Sequence, residues 1–80
     1  MDAMLEDVKI GLGVTGTYQD ATIDGYIAEV KGFLIDSGVK PTNITTGVVV
    51  RGVSDLWNYG AGDGKFSDYF LQRASQLAYK

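Results

Sequence analysis

The stretch Gly60-Ala61-Gly62-Asp63-Gly64-Lys65 has the residue types closest to a chemical site. Glycine amides with a following lysine could cradle a phosphate. The phosphate loop, however, needs a glycine five positions before its Gly-Lys and a Ser or Thr directly after the lysine. Tyr59 and Phe66 occupy those two positions, and no strand is expected to lead into the loop. A glycine-rich surface loop is the better reading. Its functional variant is a segment, flanked by Tyr59 and Phe66, that orders on contact with a partner. Asp20 and Asp24 fall on one helix face and invite a cation site. Solvated charge at a helix start explains them more simply.

What is missing narrows the chemistry further. The 80 residues contain no cysteine and no histidine. Disulfides, thiolate metal sites, most zinc sites and histidine-based acid–base catalysis are therefore excluded. The carboxylates form no convergent pair, so an enzyme is the least expected class and no cofactor is expected. The net charge is −3, with lysines and arginines scattered along the chain. A DNA-binding domain ordinarily carries a basic stripe. No apolar run is long enough to span a bilayer, and the first residues lack a signal-peptide layout. Those features predict a chain made and kept in the cytoplasm. A single domain of this length buries only about 60–65% of its unfolded surface, so partners would add to its stability.

The elements that must position these residues read as four helices of unequal length, in one all-α domain over residues 1–80. The first is expected over Asp2–Leu12, with Leu5, Val8 and Leu12 on one face and Met4 beside it. Gly13-Val14-Thr15-Gly16 is a tight connector, with Val14 plugging the core. The central element is a long helix within Thr17–Gly38. Ile23, Ile27, Val30 and Leu34 recur at spacings of three and four, and Tyr26 and Phe33 widen that face. Thr17 is placed to cap its start, with Asp20 in a capping-box position, and Gly38 to terminate it ahead of Pro41.

The third helix is expected from about Thr45 to Tyr59. Thr45 to Val50 is β-branched, so a short strand at residues 48–50 followed by a shorter helix is the alternative. Val49, Val53, Leu56 and Trp57 fit a helical stripe, while Ser54, Asp55 and Asn58 fall off it. Trp57 then belongs to the core or to a half-wet interface position. Arg51 and Asp55 form an i, i+4 pair of modest worth if exposed. Ser67 caps the last helix, which runs to about Tyr79 and buries Phe70, Ala74 and Leu77. Phe66 and Leu71 stand at the two positions of a hydrophobic staple.

The opposite face of the central helix carries a second pattern. Ala21, Gly25, Ala28 and Gly32 are spaced by four, three and four. Two interior glycines cost roughly 0.8–1 kcal/mol each relative to alanine. They are either tolerated, or packed against another helix of the same chain, or a contact for a neighbouring chain. On the residues alone, the first two explanations are the more economical. Five tyrosines in so short a chain lean toward an assembly component.

Two segments carry a family resemblance. LEDVKIGLGVTGTYQDATIDGYIAEVKGFLIDSGV, residues 5–39, resembles the opening of tailed-bacteriophage head–tail connector proteins, the small adaptor or head-completion family. RGVSDLWNYGAGDGKFSDYFLQRASQLAYK, residues 51–80, is similar to the third and fourth helices of that family. Its Leu56-Trp57-Asn58-Tyr59, glycine-rich loop and Tyr-Phe helix look like prophage members from Gram-positive hosts. The resemblance implies a non-enzymatic virion protein of the neck. Many copies would form a ring beneath the portal protein, complete the DNA-filled head and extend the channel. The ring would also offer a docking surface to the next neck or tail-completion protein. DNA would pass through without specific binding, and a basic lumen would slow it by holding phosphates. An isolated chain that stays monomeric until it meets a preformed portal fits the same picture.

Under that reading Ala21, Gly25, Ala28 and Gly32 are interface residues. Trp57, Tyr59, Lys65 and Phe66 are further contact candidates, toward the portal or a neighbouring copy. Two other classes compete. A helix-turn-helix DNA-binding module would use the third helix, whose sole cation is Arg51. A small helical protein-interaction module would form a defined pair instead of a ring.

Overall fold

A computed structural model of the chain describes residues 3–59 and 66–79. Among these residues there are four α-helices and no strand, the expected all-α architecture. They are α1 (Leu5–Leu12), α2 (Asp20–Asp36), α3 (Thr46–Tyr59) and α4 (Asp68–Ala78), with a short 3-10 turn at Pro41–Asn43 between α2 and α3. Helix α3 is the hub, packing against each of the other three. The strand alternative at residues 48–50 is overturned. Val48, Val49 and Val53 are all buried on a helix, so the burial pattern outweighs their β propensity.

The core is one cluster. Ile23, Ile27, Val30 and Leu34 of α2 meet Val49, Val53 and Leu56 of α3, with Leu5 and Val8 of α1 and Phe70, Ala74 and Leu77 of α4 closing it. Burying a side chain of this size is worth about 1.5–3 kcal/mol. Val14 packs against the cluster from the first connector, as its position predicted. Gly52 sets how closely the layers approach. A Cβ built there would lie 2.6 Å from Phe70 Cε1 and 2.8 Å from Val30 Cγ1, so only a glycine lets α2 and α4 close on α3 at that point.

The helix ends differ from expectation in instructive ways. Helix α1 starts at Leu5, later than Asp2, which lies outside the described residues. Helix α2 is capped at Gln19 with no side-chain cap, and Thr17 contributes only its carbonyl, to Asp20 N at 3.2 Å. The expected capping box fails because the Asp20 carboxylate points back toward α1. Its Oδ1 lies 2.7 Å from Lys9 Nζ, and both side chains are largely buried. The contact is an ion pair. Lys9 Nζ also donates to the Gly16 carbonyl and lies 4.0 Å from Glu6 Oε1. The solvated Asp20 of the sequence reading is thus corrected: it fastens α1 and the connector to the start of α2.

The far end of α2 follows the sequence. Gly38 has φ +96°, its N–H donates to the Ile35 carbonyl at 3.0 Å, and Val39 N–H donates to the Leu34 carbonyl at 3.0 Å. This is the Schellman geometry, and buried Val39 supplies the hydrophobic contact that accompanies it. Thr45 Oγ1 accepts from Val48 N at 3.3 Å and opens α3.

Candidate interaction surface

On α2, the residues exposed to solvent include Ala21, Gly25, Ala28, Gly32 and Ile35. At 100° per residue they cluster opposite Ile23, Ile27, Val30 and Leu34, which are fully buried. The four small residues are themselves uncharged, with Ile35 beyond Ala28 and Asp36 directly beside Gly25 on the same outer face. Glu29, Asp36 and Thr22, also exposed, run along one edge of it. Among the described residues, no atom outside its own stretch of helix lies within 4 Å of a Cβ built on Gly25 or Gly32. Packing of the strip against another helix of the same chain is therefore removed. What remains is tolerance, or contact with another molecule.

Trp57 and Phe66 occupy a different place. Trp57 is half-buried on α3 and meets Tyr26 edge to face, with ring centroids 6.3 Å apart. Phe66, also half-buried, stacks on Phe70 at 4.4 Å and lies 4.8 Å from Phe33. Tyr26 and Phe33 are seven residues apart on one flank of α2. Both interface candidates therefore abut that flank and are not part of the strip. Leu71, the expected staple partner of Phe66, is 43% exposed, and the aromatic trio of Phe33, Phe66 and Phe70 fixes the entry to α4. The Tyr59 side chain and Lys65 lie outside the described residues, as does the glycine-rich segment 60–65.

Asp55 and Ser67 hold the two sides of that segment together. Asp55 is buried, against the expectation of a surface pair with Arg51. Its Oδ2 accepts from Ser67 N at 2.9 Å and from Ser67 Oγ at 2.8 Å. Ser67 Oγ in turn accepts from Phe70 N at 3.2 Å, which confirms Ser67 as the cap of α4. Arg51 reaches Asp55 only loosely, Nε to Oδ1 at 3.9 Å, and lies instead over the Tyr69 ring at 5.2 Å.

A second surface lies outside the sequence expectations. The outer side of α3 forms the floor of an open groove of about 400 Å³ lined by Gly47, Val50, Arg51 and Ser54, with walls at Gly11 of α1 and Tyr69 of α4. The spacing of Gly47, Arg51 and Ser54 at i, i+4 and i+7 was the available signal. Only the fold shows that two other helices flank them. Among the described residues no group of three or more acidic side chains could hold a metal ion, and no helix is long and apolar enough to cross a membrane. Compared with protein-family models, curated proteins and solved structures, the chain matches none.

Proposed function

We propose that this chain is a structural subunit of a homo-oligomeric ring, the head–tail connector of a tailed bacteriophage. In this reading the ring sits below the portal, completes the filled head and docks the next neck or tail protein. The observation that carries it is the small-residue strip on the outer face of α2. An ordinary surface helix carries polar residues across its outer face, and this one presents a run of alanine and glycine beside Glu29 and Asp36, with open space above Gly25 and Gly32. Small residues let a second helix approach closely, and the two glycines weaken the helix that bears them. A role outside the single chain accounts for both. The resemblance of residues 5–39 and 51–80 to the connector family gives the assembly its identity. The acidic balance of the chain supports a conduit through which DNA slides without adhering.

The experiment is light scattering on the purified chain across a wide concentration range, with Gly25→Leu beside it. The expected result is a jump to a large closed species of many copies, lost in Gly25→Leu while its circular dichroism stays helical. A monomer at every concentration overturns the self-assembling ring and favours the pairwise interaction module. Equal loss of helix and of assembly in Gly25→Leu would assign the strip to folding.

A further inference from the structure

We propose that successive copies join by seating the outer face of α2 of one copy in the groove over α3 of the next. The inference rests on the ring reading and names its two contact surfaces.

A closed ring with one chain per position needs two different, mutually complementary patches on each copy. The fold supplies two that point in opposite directions. Helices α2 and α3 pack core face to core face. The strip on α2 lies opposite its core residues. The groove floor Gly47, Arg51 and Ser54 lies opposite Val49, Val53 and Leu56 on α3. One patch therefore faces away from each side of the α2–α3 layer, as head-to-tail contact requires.

Shape and charge both match. The groove is a trough between α1 and α4, and Gly47 leaves its floor smooth, with no atom within 4 Å of a Cβ built there. Helix axes packed in contact lie about 8–10 Å apart, and the distance depends on the side chains between them. Alanine and glycine on the strip meeting glycine and serine on the floor favour the short end. The groove carries one cation, Arg51, which is about half exposed and only loosely paired with Asp55. Two carboxylates, Glu29 and Asp36, run along the Gly25 edge of the strip, while Asp24 and Lys31 lie beyond Ile35 on the other. Seating the strip brings an acidic edge to a guanidinium that has donors to spare.

The 80 residues contain no cysteine, so single cysteines report contacts cleanly. Ala28→Cys and Ser54→Cys chains are mixed at high concentration and treated with a short bis-maleimide. The mixed product is expected at about tenfold the yield of either symmetric product, equivalent to about 1.4 kcal/mol of preference. In parallel, Glu29→Arg and Arg51→Glu should each weaken self-association about tenfold, and the double variant should regain most of it. Circular dichroism verifies that each variant is folded.

A dominant symmetric Ala28→Cys product would show α2 pairing with α2 and overturn the proposal, as would a statistical mixture. A large closed species that yields no mixed product would overturn this pairing while leaving the ring intact. No species beyond the monomer would overturn both this pairing and the self-assembling ring.

Discussion

Glycines on the inner face of α3 and on the outer face of α2 stand in opposite surroundings. Gly52 is buried, and a Cβ there would collide with Val30 and Phe70. Gly25 and Gly32 are exposed, and a Cβ on either meets nothing within 4 Å among the described residues. All three weaken their helices. At Gly52 the return is visible within the chain, because the absent side chain is the space that Phe70 and Val30 fill. At Gly25 and Gly32 nothing among the described residues fills the space that a side chain would take. A glycine with an internal reason is thus told from one without it by what its missing Cβ would touch.

The most severe test of the Gly52 side of this contrast lies one turn further along α3. Asp55 holds Ser67, and Ser67 caps the helix that carries Phe70 onto Gly52. Asp55→Ala strands a backbone N–H and a hydroxyl in a part-buried site. A loss of about 2–3 kcal/mol is expected, read by urea denaturation, with α4 amides losing hydrogen-exchange protection first. Asp55→Asn keeps one acceptor and should cost less. If Asp55→Ala changes stability by only a few tenths of a kcal/mol, α4 is held by its aromatic residues alone.

Gly52→Ala is the direct probe. Forcing a methyl against Val30 and the Phe70 ring costs about 1–3 kcal/mol as overpacking. The gain in helix propensity returns up to about 1 kcal/mol. The net expectation is a loss of up to about 2 kcal/mol. Phe70→Leu in the same chain should relieve part of the clash, so the double variant should be less destabilised than the sum of the singles. Strict additivity would mean that the two residues do not share that space.

The residues that fixed the architecture were readable because they repeat. Ile23, Ile27, Val30 and Leu34 span several turns of one face, and all four are buried as expected. Gly38 and Val39 were readable because helix termination is local chemistry. The valines of α3 required choosing period over propensity, and the period was right. The buried ion pair of Lys9 and Asp20 was not readable, because it joins residues eleven apart across a connector whose path no spacing rule gives. The burial of Asp55 has the same origin, since its partner Ser67 lies beyond the glycine-rich segment. The strip on α2 was visible as a pattern, but its exposure depended on where the other three helices went. The groove over α3 exists only once α1 and α4 flank it.

The smallest expected effect bears most directly on function. Gly25→Ala and Gly32→Ala add a methyl to open space and remove a glycine from a helix interior. Each should stabilise the isolated chain by about 0.8–1 kcal/mol, or several degrees in Tm for a domain of this size. If the strip is an interchain surface, the same methyls hold a neighbouring helix further away. The variants should then be more stable as monomers and poorer at assembly, a combination measured by thermal unfolding beside light scattering. Gain in both would show that the glycines are merely tolerated. Loss in both would mean that α2 needs them for its own path. Only opposite signs assign the outer face of α2 to a partner, because folding and assembly then draw on the same two positions in opposite directions.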